Sequence, residues 1–394
     1  MKKQPGCCAA YWSNKLLHRL SSANNARGLL AGVILCVLLV ACAPATQRVR
    51  IDSGAAQVEA QKQRQVALQA YVDDQKRLLR VSYPLLTKGA DLCGDDIRFT
   101  TGMALANSGT LLGDDFRESA QRTYQLSDQV QVVDVVPGSA ADKAGVRTGD
   151  TLLYIDEWAL PTGDNAVRQT LEQLQIRTQT GKPVRVDVAR KNQGAKQSLL
   201  IMPDRACSYP VVLGGGDEVN AYADGKQVVV QRGMMRFTQS DTELALVVSH
   251  EIAHNSMGHM RAKMTNYALG SILDIAAQVL LKVPTQGLFG NLGGHAYSQG
   301  FEAEADYVGL YIMAQSGGDI ENAPQFWRRM ATLSPNAIQS SHTATHPATP
   351  ERFLALEETV KEIRAKQRAG KPLVPNLKNA PDLASDKLAP ADKN

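Results

Sequence analysis

The chain has 394 residues, 44% of them hydrophobic, with 43 Lys and Arg against 39 Asp and Glu for a formal charge of +4. This length exceeds what one core organises and predicts two folded units with tails. Five of the cations, Lys2, Lys3, Lys15, Arg19 and Arg27, lie in an N-terminal leader without acids; setting them aside leaves about −1, which removes any electrostatic case for nucleic acid.

The leader runs into an apolar stretch from Gly28 to Val40, short of the roughly 20 residues a permanent span requires and suited to the hydrophobic region of a signal peptide. It ends in Leu39-Val40-Ala41-Cys42, which looks like a bacterial lipobox, so residues 1–41 would be removed and Cys42 acylated. Ala43 is not the aspartate that retains such lipoproteins at the inner membrane, and the expected address is the outer membrane facing the periplasm. Acyl chains hold a protein there at about 0.8 kcal/mol per buried methylene. Cys7, Cys8 and Cys36 leave with the leader, so Cys93 and Cys207 remain as a candidate disulfide in an oxidising compartment.

Ala55 to Arg80, rich in Ala, Gln and charge, predicts a long helix packing on the unit that follows Cys207. Between the two cysteines comes a strand at Gln131–Val136, a Pro137-Gly138 turn, a short helix closed by Gly145 and a second strand at Leu152–Ile155. A helix from Asp164 to Ile176 and strands at Val184–Val188 and Leu199–Ile201 complete the order. It resembles a PDZ domain of the circularly permuted bacterial kind found in HtrA proteases, inserted within the second unit. The resemblance implies that a polypeptide C-terminus could add a strand in its groove, with Thr100–Leu105 as the candidate carboxylate loop.

In Val247-Val248-Ser249-His250-Glu251-Ile252-Ala253-His254 two imidazoles stand four residues apart on one helix face, with a carboxylate after the first. That spacing suits one zinc ion, with Glu251 reaching its water as general base. Apolar residues Leu244 to Val248 bury the helix, and Ser240 or Asp241 would cap it. A third ligand histidine of the metzincin pattern is excluded, since Met257 and Met260 hold the required positions. His259, continued on the same helix, would point about 180° away and reads as solvated or structural.

An acid on a second helix is the alternative. Glu302 and Asp306 share a face, while Glu304 points about 200° from Glu302. Glu302 could bind the metal, and Asp306 could accept the free ring N–H of a ligand histidine. The apolar run Ala268–Leu281, interrupted by Asp274, is too short to span a bilayer and predicts a core or membrane-surface helix, followed by a glycine-rich loop at residues 284–294.

With Asn220-Ala221-Tyr222, Val228–Val230, Gly233 and His346-Pro347, these residues resemble the gluzincin peptidases grouped with the CAAX prenyl endopeptidase, HtpX and BepA, over roughly Tyr209 to Leu356. The resemblance implies zinc ligands His250, His254 and Glu302, one Zn(2+) per chain, Glu251 as base and Asp306 in support. It also implies that His346 could plug the metal, with Arg352 beside the carboxylates or the developing oxyanion. An extended substrate would pair with an edge strand at Val228–Val230.

The fold class expected is α+β. A mainly helical catalytic domain over 208–364 carries a small edge-exposed sheet, and the inserted PDZ unit, sandwich- or barrel-like, spans 94–206. A linker and helix occupy 42–92, and a disordered tail fills 365–394. The function expected is hydrolysis of misfolded or unassembled envelope proteins. The alternative is a PDZ-bearing chaperone or assembly factor with a latent peptidase site, against which the complete ligand set and Glu251 argue.

Overall fold

The computed structural model describes residues 49–190, 196–295, 298–333 and 349–378. Two units are distinguished: residues up to Ala60, whose described part is the exposed start of the first helix, and Gln61 onward, which holds everything below. That helix, α1, runs over Ser53–Lys88 and so continues past Arg80 through Pro84. Its later turns bury Leu78, Val81, Leu85 and Leu86 in the same core as Leu244, Val248 and Ile252.

After α1 the chain turns through Ala90–Cys93 into β1, Ile97–Thr100, the first strand of the inserted unit. The insert contains β2 (Met103–Ala106), α2 (Arg117–Tyr124), β3 (Gln131–Val135), α3 (Ala140–Lys143), β4 (Thr151–Ile155), β5 (Trp158–Ala159), α4 (Ala166–Thr178), β6 (Val184–Ala189) and β7 (Gln197–Ile201). β8, Asp204–Cys207, closes it by pairing antiparallel with β1, Ile97 opposite Cys207. Its main sheet has the order β2-β3-β4-β6-β7, with β5 on β4, and buries Val132, Leu152, Ile155, Val186 and Ile201 against Leu174 of α4 and Ala141 of α3.

Alternate residues, Val184, Val186 and Val188 of β6 and Leu199 and Ile201 of β7, put one face on this core with the period of two of a strand. The Thr100–Leu105 candidate is a two-residue turn between β1 and β2, whose Thr101 and Gly102 carbonyls accept from Ala141 and Val136 N–H groups at 2.9 Å each. Cys93 and Cys207 are joined at 1.99 Å S–S, where the insert leaves and rejoins the chain. Arg80 on α1 grips Asp134 of β3 with Nε at 2.9 and Nη2 at 2.6 Å, and the Tyr83 hydroxyl donates to Asp204.

The second part of the chain opens with β9 (Val211–Gly214), β10 (Ala221–Ala223) and β11 (Val228–Gln231). Their order, β10-β11-β9, corrects the expectation of an edge at Val228–Val230, because β11 is central, parallel to β9 and antiparallel to β10. Three successive valines suit a strand buried on both faces, and all four residues of β11 are buried.

Helices follow: α5 (Arg232–Phe237), α6 (Asp241–Ser256), α7 (His259–Leu280), α8 (Leu288–His295), α9 (Ser298–Gln315), α10 (Ala323–Ala331) and α11 (Pro350–Arg368). The disordered tail expected over 365–394 is corrected for residues 365–378; the remainder lies outside the described residues. α11 continues to Arg368, and the segment after it is strapped down, with Gln315 donating to the Leu373 carbonyl at 2.7 Å and the Asn376 N–H to the Tyr307 hydroxyl at 2.9 Å. Side-chain partners on α9 and α11 hold a segment whose own composition carries no periodicity. Among the described residues no helix is long and apolar enough to cross a membrane.

Candidate metal centre

α6 starts where Ser240 caps it, accepting from the Glu243 N–H at 3.2 Å, while Glu243 reaches back to the Gln239 N–H at 2.7 Å. Arg329 of α10 clamps the same Glu243 with two bonds of 2.8 and 2.7 Å. At the other end Asn255 ties the helix to the β10–β11 turn, accepting from the Gly225 N–H at 2.8 Å and donating to the Gln227 carbonyl at 3.0 Å. The helix that carries His250 and His254 is thereby registered against strand β10.

α9 lies against α6 at Gly309, where a Cβ would stand only 3.0 Å from the His250 nitrogen. This close approach brings Glu302 to the histidines. His250 Nε2 and His254 Nε2 face each other at 3.1 Å, and Glu302 oxygens lie 3.4 and 3.3 Å from them. Zinc with ligands at about 2.0–2.1 Å in tetrahedral array has donor–donor edges of roughly 3.3 Å, so the three side chains fit that ion.

Charge agrees with geometry. Glu251, Glu302 and Asp306 are buried carboxyl groups, and Arg352 is the buried guanidinium among them. Without a metal, three such acids beside one guanidinium leave an excess that a protonated His250 offsets in part; a dication held by His250, His254 and Glu302 would take the place of that proton.

The remaining nitrogen of His250, Nδ1, lies 2.9 Å from Asp306 Oδ1. Burial lowers the His250 pKa, but its bonds and charge interactions with Asp306 and Glu302 outweigh burial and raise it to about 10. Burial raises Asp306, yet the Arg352 charge and the His250 bond hold it below the usual carboxylate range. Arg352 grips Asp306 with Nε at 2.8 and Nη2 at 2.9 Å and reaches Glu302 Oε2 with Nη1 at 3.3 Å. It stands in the first turn of α11, where Thr349 caps the helix and Pro350 is preset for it. Trp327 of α10 covers the His250 ring at 5.0 Å between centroids, and the Arg352 guanidinium lies 5.8 Å from the same indole.

His259 departs from its expected position. α6 ends at Ser256, Gly258 takes φ 68°, and α7 starts afresh at His259, so the ring turns back instead of lying 180° away. It is buried, stacks on Phe301 at 4.7 Å, and puts Nδ1 3.0 Å from His254 Nδ1 and Nε2 3.0 Å from Glu304 Oε2. With Nε2 of His254 turned to the centre as a lone pair, Nδ1 carries the proton and donates to His259, whose Nε2–H donates to Glu304. Burial lowers the His259 pKa despite Glu304, which keeps the ring in the neutral form this chain needs. Glu304 reaches His259 and through it supports His254. The glycine four residues after His254 was the signal for this fold-back.

Beside His254 a cleft of about 710 Å³ opens, lined by Asp224, Lys226, Met257, Met260 and Arg261 among others. Of the predicted site residues His254 lines this cleft. His250, His254, Glu302, Asp306 and Arg352 converge on one buried cluster, Glu251 is buried next to His250 in α6, and Cys93 and Cys207 lie apart at the base of the insert. His346 and Cys42 fall outside the described residues.

Residues 200–360 match the family model described as peptidase family M48. This segment is an M48 metallopeptidase domain. Peptidases of this family depend on zinc, in keeping with the His-His-Glu cluster.

Three relatives show the extent of the likeness. The beta-barrel assembly-enhancing protease of Yersinia pestis is 31% identical over 158 residues, 36% of this chain and 32% of that protein. The mitochondrial metalloendopeptidase OMA1 of Arabidopsis thaliana is 28% identical over 156 residues, 38% of this chain and 31% of that one. The metalloprotease LoiP of Escherichia coli is 31% identical over 144 residues, 34% of this chain and 56% of that one. The matched region thus spans about a third to just over half the length of these relatives. Among solved structures, the HtrA3 PDZ domain bound to a phage-derived ligand aligns at 17% identity and TM-score 0.21, over 28% of this chain and 88% of that one.

Proposed function

We propose that this protein is a zinc endopeptidase of the bacterial envelope that hydrolyses peptide bonds in extended segments of misfolded or unassembled envelope proteins. The observation that carries the reading is the convergence on one point of three buried donors, His250 and His254 of α6, which also bears Glu251, and Glu302 of α9. When bound, zinc polarises the peptide carbonyl and acidifies water at its open position. Glu251 accepts a proton from that water and returns it to the amine nitrogen of the departing chain. Asp306 fixes the His250 ring, and Arg352 fixes Asp306 and Glu302.

Strand β10 is the sheet edge beside α6, and the extended substrate pairs with its main chain, aligned through Asn255. Residues 94–206 act as a PDZ unit whose end strand β2 offers the site for a polypeptide C-terminus. His346, three residues before the cap of α11, would be the residue that blocks the metal in the resting enzyme, as the family resemblance implies. Cys42 carries the lipid anchor at the outer membrane.

The test is Glu251→Gln, which retains zinc and loses hydrolysis of an unfolded protein, set beside His250→Ala, His254→Ala and Glu302→Ala, which lose both. Cleavage at the parental rate by Glu251→Gln overturns the assignment of the base.

A further inference from the structure

The hairpin of α7 and α8 carries an apolar surface that the catalytic reading does not use. From Ala268 onward α7 was expected to lie in a core or on a membrane surface, and the core is excluded: Leu269, Ile272, Leu273, Ile275, Val279 and Leu280 are each more than half exposed, as are Leu288 and Leu292 of α8. Single exposed leucines are ordinary, but a continuous cluster of this kind marks an interaction surface. Ser271 and Gln278, seven residues apart, form the polar stripe of the same helix.

Two observations identify what covers the cluster. Between Met257 and His295 the charged residues are Arg261 and Lys263 at the start of α7, Lys282 just past its end, and a single acid, Asp274. Asp274 is turned inward, where it accepts from the Phe289 and Gly290 N–H groups at 3.1 and 2.7 Å and from the Thr285 hydroxyl. The outward charge is therefore cationic at both ends of the apolar run. A second copy of the chain would set cations against cations, whereas an anionic phospholipid surface complements them. In addition, the first free N–H groups of α8 are satisfied by Asp274, which a backbone entering an apolar medium requires.

Lys263 and Lys282 lie about 28 Å apart at 1.5 Å rise per residue, and the run from Ala268 to Leu280 covers about 20 Å against a hydrocarbon core of about 30 Å. The hairpin is too short to cross and has the length to lie in one interface. We propose that the α7–α8 hairpin docks flat on an anionic phospholipid bilayer, with Ile272, Leu273, Val279 and Leu280 sunk below the headgroups and Arg261, Lys263 and Lys282 at the phosphates. Because α7 begins at His259, which touches His254, docking orients the zinc cleft to the membrane plane.

The test uses the full chain, reconstituted into phosphatidylglycerol–phosphatidylethanolamine vesicles whose acyl chains carry bromine, a quencher of indole fluorescence. Ile272→Trp and, separately, Leu280→Trp report depth, with Leu354→Trp on the exposed face of α11 as control; emission of the parental chain is subtracted. Docking gives quenching several-fold greater at 272 and 280 than at 354, and weaker when zwitterionic phosphatidylcholine replaces the anionic lipid. Retained zinc content in each variant shows that the site has formed. Equal quenching at all three positions, or blue-shifted and unquenched emission at 272 and 280 with self-association on sedimentation, overturns the proposal, the latter in favour of a second copy.

Discussion

Replacing Gly309 by alanine tests whether the spacing of α6 and α9 sets the metal site. The added Cβ would lie 3.0 Å from the His250 nitrogen, 3.1 Å from its Cα and 3.2 Å from the Ser249 carbonyl carbon. Carbon atoms rest at about 3.5–4.0 Å, so α9 must retreat by a few tenths of an ångström, against helix backbone that cannot rotate aside. Glu302 rides on the same helix two turns earlier, and metal–ligand distances tolerate only about 0.2 Å.

Alanine gains about 1 kcal/mol of helix propensity over glycine, while overpacking costs about 1–3 kcal/mol, so stability falls slightly or holds. Zinc affinity carries the larger effect, a loss of about 10- to 100-fold, comparable to removing a supporting residue of a metal ligand. Competition with a chromophoric chelator measures it, alongside melting with and without EDTA. Parental zinc affinity together with a raised melting temperature of the metal-free protein would refute the idea that backbone contact at Gly309 sets the ligand spacing.

Other outcomes follow from the same geometry. His259→Ala removes the acceptor for His254 Nδ1 and lowers zinc affinity about tenfold or more, while Glu304→Gln, which leaves an acceptor oxygen, costs less; chelator competition ranks the two. Arg352→Lys keeps the charge but loses the two-pronged grip on Asp306, so activity falls while zinc content changes little, read by metal analysis and peptide hydrolysis. Glu243 is held below the usual carboxylate range chiefly by Arg329, so its folded-state pKa is depressed. The stability it supplies is present above the ordinary glutamate pKa and lost as pH falls through the depressed value; Glu243→Gln therefore flattens the acid limb of a melting-temperature profile below about pH 4.5.

The zinc constellation was readable because its parts are local and periodic. His250 and His254 are one helical turn apart, as are Glu302 and Asp306, and a single helix–helix contact brings the pairs together. The role of His259 was not, because it depends on a reversal at Gly258 that a continuous helical wheel conceals. Val228–Val230 was misassigned to an edge since burial on both faces, not hydrophobicity alone, marks a central strand. Composition gives no sign of order at residues 369–378 because it says nothing of partners elsewhere in the chain, here Gln315 and Tyr307. Residues that hold the ligands from outside, Trp327 and Asn255 among them, carry no motif. Only the packing of α10 and the β10–β11 turn reveals them.

The ribbon of β1 and β8 sets how the inserted unit is related to the rest. Its two ends are bridged at 5.6 Å between Cα atoms, although 114 residues separate them in sequence. Seen from the helical core, that whole span occupies the place of a hairpin turn. Domain insertion requires neighbouring chain ends of this kind. A short turn between Cys93 and Cys207 would leave α1 packed on α6 and the histidines in place, and any folded unit with adjacent termini could be spliced there instead. The insert and the helical unit that holds the metal-binding residues are thus separable modules on one scaffold, and either could be altered without redesign of the other.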